Sequence, residues 1–276
     1  MPLTREFRHG RELLFVGGAP RTGTTLVQNI LDSHPDIAGG PEFDNIPDIV
    51  ATRNKLVYSV NAGRITDYVT EADVDRELGY LIERLLLPYL SRKNVSLVSE
   101  KTPFNAFVFR ELLAMLSACR CIFCVRDPRS IAASLLAVGA RAAEKSAKSP
   151  PYTRNLPDAI KLIQASYQAG FSVAAHPRLL VLVYEELVQE PEQQTRRLCE
   201  FLGISWHEKM VSPHEKKHDG DRFVDDIWYD MPMYYRPIGI TETRGPGSGL
   251  TTAQLAEVNE AFRDDANLAK IGYIFP

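Results

Sequence analysis

An arginine, three threonines and three glycines crowd one short stretch, Gly17-Gly18-Ala19-Pro20-Arg21-Thr22-Gly23-Thr24-Thr25. Glycines let a backbone come close to an anion, successive N–H groups form a concave nest, and a following helix adds its free N-terminal amides. From Gly18 the spacing is that of the nucleoside-triphosphate loop: Gly, four residues, Gly, then Lys and Ser/Thr. Thr24, however, stands in the lysine's place. Such a loop holds an anion without the charge that ATP cleavage uses. Arg21 offers a forked cation in partial compensation, and the hydroxyls of Thr22, Thr24 and Thr25 offer further donors around Gly23. Thr25 retains the place of a magnesium ligand, but no convincing acidic strand-end partner follows it. A Gly/Pro turn that binds nothing is the plain alternative.

A second candidate pair lies downstream. The apolar run Cys121-Ile122-Phe123-Cys124-Val125 reads as a buried strand that ends at Arg126-Asp127-Pro128-Arg129. Pro128 suits the first turn of a helix, so Arg126 and Ser134 are able to converge on one phosphate. A third motif, His214-Glu215-Lys216-Lys217-His218, has the spacing of a zinc-hydrolase helix. Pro213 before it, two lysines within it and Gly220 after it argue against that helix.

Taken together, Gly17 to Thr25 resembles the loop that binds the 5′-phosphosulfate of 3′-phosphoadenosine-5′-phosphosulfate (PAPS) in sulfotransferases. Arg126 to Ser134 is similar to their Arg/Ser site for the 3′-phosphate. Gly17 to Leu26 followed by Leu31-Asp32-Ser33-His34-Pro35-Asp36 resembles the tyrosylprotein sulfotransferase branch and its bacterial relatives, and so does Val183 to Val188 followed by Pro191-Glu192 and Phe201-Leu202-Gly203-Ile204. The likeness spans about residues 13 to 204, with gaps.

The resemblance implies in-line, metal-independent transfer of a sulfuryl group from PAPS to a hydroxyl or amine, with adenosine 3′,5′-bisphosphate (PAP) as product. Arg21 and Lys101 would stabilise charge, Lys101 by assisting departure of the bridging oxygen. The alternative for Lys101 is a solvated helix start, because Lys101-Thr102-Pro103 has that form. The base falls in Ile37 to Asp44. Glu42 is preferred, since a carboxylate partly desolvated by Pro41 and Phe43 suits proton abstraction. Asp44 as base and a helix-cap role remain the alternatives, because this chain lacks the two adjacent acidic residues of the protein-tyrosine enzymes. Tyr184 would contact the nucleotide or simply pack, and Arg244-Gly245 resembles a loop that closes over the 3′-phosphate. The competing functions are a P-loop small-molecule kinase, a non-catalytic nucleotide-binding module and, remotely, a zinc hydrolase through His214, Glu215 and His218.

The elements that must position these residues alternate. Strand-like runs near Leu13–Val16, Val95–Val98, Cys121–Val125 and Leu179–Val183 are separated by helical patterns near Thr24–Asp32, Glu71–Tyr89, Pro103–Leu116, Ser130–Val138, Leu156–Ala174, Glu192–Leu202 and Thr252–Phe262. Ser99 to Pro103 reads as a strand-to-helix turn. This order implies an α/β fold, a P-loop-like three-layer α/β/α domain with a mostly parallel central sheet. With 276 residues, 45% of them hydrophobic, one domain spanning the chain is expected. The irregular stretches at about 139–155 and 211–249 are expected to border the acceptor site.

A formal net charge of −3 gives no basic bias, so nucleic acid is not an expected partner. No run of about 18 apolar residues and no signal-peptide core occur, which leads to the expectation of a cytoplasmic enzyme without a membrane anchor. Cys119 and Cys121 should face one side of their strand and Cys124 the other, as buried thiols rather than a metal site. Trp206 and Trp228 read as packing residues. The acceptor stays open among a peptide tyrosine, a sugar, a lipid and a small phenol.

Overall fold

Strand β1, Leu13–Gly17, is buried along its whole length in the computed structural model, which describes residues 9–229, 231–239 and 245–276. It lies at the centre of a five-stranded sheet of order β2-β3-β1-β4-β5, with β2 at Ile37–Gly39, β3 at Leu97–Lys101, β4 at Arg120–Val125 and β5 at Leu179–Val183. Every pairing is parallel. Parallel strands need crossover helices, and these cover both faces of the sheet, which explains the near-continuous apolar runs.

The alternation of side chains divides the core in two. Leu13, Phe15, Val98, Cys121 and Phe123 point to one face, where α2 (Ile46–Asn61), α3 (Glu71–Leu86), α5 (Phe109–Met115), α6 (Pro128–Glu144), α7 (Leu156–Phe171), α11 (Thr252–Phe262) and α12 (Ala266–Lys270) contribute packing residues. Leu14, Val16, Ile122 and Cys124 point to the other, against α1 (Thr24–Asp32), α8 (Tyr184–Gln189) and α9 (Pro191–Leu202). Two further helices, α4 (Pro88–Lys93) and α10 (Met231–Tyr234), are short. The expected three layers are present, and the cysteines of β4 divide between the faces as alternation requires. Trp206 packs against the second cluster, and its indole N–H donates to Thr195 at 2.9 Å.

Several boundaries differ from the sequence expectation. The helix expected over Glu71–Tyr89 stops at Leu86 and restarts at Pro88, a residue without an N–H to continue the ladder. Pro103–Leu116 is a 3₁₀ turn, Pro103–Phe107, followed by α5. The helix begun at Pro128 runs to Glu144, so the first third of the stretch 139–155 is helical. Asp127 caps that helix by accepting from Arg129 N. Strand β3 continues through Ser99 and Glu100 to Lys101, where a turn was expected. Helix α2 was not anticipated at all. Of its residues only Ile46, Val50 and Val57 are buried, too few to mark an amphipathic period.

Both sheet edges are occupied by other parts of the chain. On β2, Ile37 N donates to His34 O at 3.2 Å, Gly39 N to Asp32 Oδ1 at 2.8 Å, and the Tyr89 hydroxyl to Gly39 O at 3.4 Å. On β5, Arg197 Nη2 donates to Val181 O at 3.3 Å.

Candidate active site

The nest forms where β1 turns into α1. Gly18 N donates to Pro103 O at 2.9 Å, and Thr22 N donates to Ala19 O at 3.1 Å. Arg21, although not glycine, has φ 78°, a conformation that costs an L-residue about 1 kcal/mol or more. Gly23 has φ 91°, and a Cβ there would run into the ring of Tyr184. The helix that follows has no side-chain cap, which leaves its first-turn amides for a ligand. Thr24 is buried in that first turn. Thr22 departs from its expected donor role: its hydroxyl donates to Ala19 O at 2.8 Å, and so shapes the loop from within.

On one side of the nest, residues far apart in sequence form a cationic cluster. Arg21 Nε donates to Ser134 Oγ at 3.0 Å, and Arg126 Nη1 donates to Arg21 O at 3.1 Å. The Arg126 guanidinium lies 4.2 Å from the ring centroid of Tyr184, so Tyr184 packs against both Gly23 and the arginine. The backbone of Arg126 is held from below, where Tyr167 Oη accepts from Arg126 N at 3.1 Å and donates to Arg126 O. Burial lowers the Arg21 pKa, and the neighbouring charges of Arg126 and Arg141 lower it further. Arg126 Nε is buried with no hydrogen-bond partner. Half-buried cations beside an unsatisfied N–H call for an anion with several oxygens. The side chains expected to hold the 3′-phosphate fit such a group.

On the other side lies a second constellation. Lys101, at the end of β3, is almost fully buried, and its Nζ pairs with Glu42 Oε1 and donates to Thr25 Oγ1 at 3.3 Å. The Glu42 side chain is 40% exposed, so it meets both the ammonium and open space. Lys101 is no solvated cap; that alternative is excluded by its burial. Asp44 has φ 62°, and its amide donates to Thr102 Oγ1 at 3.2 Å. Burial and the neighbouring Glu42 charge raise the Asp44 pKa, while Lys101 engages Glu42.

Two residues of this region gave no signal in the sequence. Glu100 is fully buried and has its pKa raised by burial. Its Oε1 accepts from Phe43 N at 3.1 Å and Thr102 Oγ1 at 2.7 Å, and its Oε2 from Asn105 Nδ2 at 2.6 Å. It thereby ties the segment that carries Glu42 to the end of β3. Tyr229 Oη is hydrogen-bonded to Thr25 Oγ1 at 2.9 Å, and Arg21 lies 5.3 Å from the centroid of its ring. Tyr229, within the irregular stretch 211–249, thus reaches the nest.

Other candidates fall elsewhere. Arg244 lies outside the described residues. Gly245 is exposed, accepts from Ser248 N at 3.1 Å in a turn, and has open space beside its α-carbon. The zinc-hydrolase spacing is not on a helix, since Pro213–Glu215 is a 3₁₀ turn. Both nitrogens of His218 are engaged, Nδ1 with Asp32 Oδ2 at 2.6 Å and Nε2 with Pro213 O at 2.9 Å. Among the described residues no group of three or more His, Cys, Asp or Glu is arranged to hold a metal. None of the described helices is long and apolar enough to cross a membrane.

The sulfotransferase family model matches residues 14–208. Protein-tyrosine sulfotransferase 1 of Danio rerio is 31% identical over 206 residues, covering 74% of this chain and 56% of that protein. Protein-tyrosine sulfotransferase 2 of Gallus gallus is 29% identical over 215 residues, covering 76% of this chain and 56% of that protein. The chain therefore spans little more than half the length of these curated relatives. The sulfotransferase domain from the curacin biosynthetic pathway superposes with a TM-score of 0.59 at 17% identity, covering 98% of this chain and all of that one. Mouse sulfotransferase SULT7A1, solved in complex with PAP, superposes with a TM-score of 0.56 at 12% identity, covering 96% and 90%. These two likenesses show a shared fold. With the family model covering well over half its length, the chain belongs to the sulfotransferase family.

Proposed function

We propose that this protein transfers a sulfuryl group from PAPS to the hydroxyl of an acceptor, a protein tyrosine being favoured by the names of its relatives. The observation that carries the reading is the meeting of Glu42, Lys101 and Thr25 at the mouth of an anion-binding nest whose other flank is the Arg21–Arg126–Ser134 cluster. A donor with a phosphosulfate at one end and a 3′-phosphate at the other needs two such anion sites. Thr24 in place of the loop lysine separates this nest from that of a kinase.

In this reading the nest amides and Thr24 hold the phosphosulfate, and Arg126 with Ser134 holds the 3′-phosphate. Arg21 spans the two, and Tyr184 supports the nucleotide. Lys101 neutralises charge on the bridging oxygen as the sulfur–oxygen bond lengthens, and Glu42 takes the proton of the acceptor hydroxyl. The transferred group carries less charge than a phosphoryl group, so these cations suffice and a metal is not part of the proposed step. The catalytic unit is one domain, bordered at the acceptor side by the residues from 211 onward.

Calorimetric titration with PAP in the presence of a chelator tests the reading. Saturable heat that persists without divalent metal is expected, together with transfer of labelled sulfate from PAPS to a tyrosine-containing peptide. Binding of ATP with magnesium in preference to PAP would instead favour the kinase.

A further inference from the structure

The phenol of Tyr229 occupies a specific place in the proposed chemistry. Its Oη is 2.9 Å from Thr25 Oγ1, and the same threonine oxygen accepts from Lys101 Nζ, which pairs with Glu42. One hydroxyl therefore separates a phenolic oxygen from the amine, and that amine in turn pairs with the carboxylate assigned to the transfer step. An acceptor oxygen must lie at this junction, because it has to face the sulfur and reach the base at once.

The segment carrying Tyr229 is fastened in place. Arg141 Nε, near the C-terminal end of α6, donates to Ile227 O at 2.7 Å, and Lys145, just beyond that helix, pairs with Asp226. Asp225 Oδ1 accepts from Ile227 N at 2.9 Å and Trp228 N at 2.8 Å, and Tyr229 N donates to Asp225 O at 3.0 Å. Arg21 stands beside the ring, at 5.3 Å from its centroid. The neighbouring Tyr234 is differently engaged: its hydroxyl donates to Asp221 Oδ1 at 2.7 Å and accepts from Asn29 Nδ2 at 3.2 Å. Tyr235 is exposed. Of these three tyrosines, Tyr229 is the one that addresses the nest.

We propose that Tyr229 is a self-modification site: the chain sulfates its own Tyr229 hydroxyl when PAPS is bound. The inference rests on the sulfotransferase reading given above. In the step, Tyr229 Oη forms a bond to sulfur while the bond from sulfur to the bridging oxygen breaks. PAP departs with that electron pair, the phenolic proton passes to the Glu42 carboxylate, and the product is one aryl sulfate ester per chain. The new anion stays beside Arg21 and Lys101.

The test is mass spectrometry of the full chain, as isolated and after incubation with PAPS, with PAP binding measured in parallel by calorimetry. The expected result is a gain of one SO₃ per chain, mapped to the peptide containing Tyr229, at a rate independent of protein concentration. Tyr229→Phe and Glu42→Gln should each lose the label, and Tyr234→Phe should keep it. PAP binding without label on Tyr229, or label on another tyrosine, overturns the inference and leaves the donor reading standing. A labelling rate proportional to protein concentration places the acceptor on a second copy and overturns the intramolecular step. Absence of PAP binding removes the donor reading and this inference with it. The map of the unsubstituted chain decides the matter even if a variant fails to fold.

Discussion

Arg21 Nε donates to Ser134 Oγ at 3.0 Å, joining the nest to α6 across 113 residues of chain. That contact places the loop arginine with the residues proposed for the 3′-phosphate. Arg21→Ala should therefore weaken PAP binding by about tenfold to a hundredfold, the worth of a charge-assisted hydrogen bond. If Arg21 acted in the transition state alone, kcat would fall while calorimetric PAP affinity stayed unchanged.

Arg126→Ala removes a cation that carries an unpartnered buried N–H. It also frees the ring of Tyr184. We expect PAP affinity to fall at least as far as in Arg21→Ala. Titration of both variants and of the double variant should give non-additive losses, because Arg126 Nη1 donates to the carbonyl of Arg21.

Glu42→Gln keeps the size of the side chain and removes its basicity. Sulfate transfer should drop by roughly 10²- to 10⁴-fold, the usual contribution of a positioned base, while PAP binding stays close to that of the parent protein. Unaltered turnover in this variant removes Glu42 as the base.

Glu100→Gln places an amide N–H where a carboxylate oxygen accepts from Asn105 Nδ2. Asn105 cannot simply turn over, because Nδ2 also donates to Val16 O at 3.2 Å. Loss of about 1–3 kcal/mol in chemical denaturation is expected. Turnover should fall as well, since Glu100 accepts from Phe43 N and so fixes the segment of Glu42. Retention of parental stability would mean that the buried carboxyl is dispensable.

Asp32 supplies a pH dependence. Burial acts to raise its pKa, but hydrogen bonds from His218, Gly39 and Lys216 outweigh that and hold it below the ordinary carboxylate value. A carboxyl depressed in the folded state stabilises fully above its unfolded pKa of about 4, and the contribution disappears as pH falls through the folded value. Asp32→Asn should thus be clearly less stable than the parent near neutral pH, with the difference in denaturation midpoint shrinking below about pH 4. A difference that stays constant across this range would contradict the assignment.

How far the sequence reveals this site depends on how local each signal is. Helices α1 and α11 begin and end where their spacing indicates, since a Gly-rich entry and a Thr251 cap mark them locally. Lys101 is different. The run Ser99-Glu100-Lys101 is polar enough to pass for a turn, yet it is buried strand, because Gln28, Asn105 and Thr102 satisfy its side chains from other elements or the following turn. Helix α2 hid because its polar residues are matched by a neighbouring helix, with Arg53 bonded to both Asp75 and Glu71 of α3. Tyr229 meets Thr25 across 204 residues, a relationship that no periodicity or short motif encodes. Glu42 and Lys101 were singled out through the family pattern, and their pairing emerges only in the fold.

The blocked rims of the sheet have a wider consequence. A parallel sheet ordinarily offers its outermost strands as templates for another chain, and proteins suppress such recruitment to escape aggregation. Here Asp32, His34 and Tyr89 answer the outward-facing polar groups of Ile37 and Gly39, and Arg197 answers Val181. Strand addition at these positions would first have to displace those bonds.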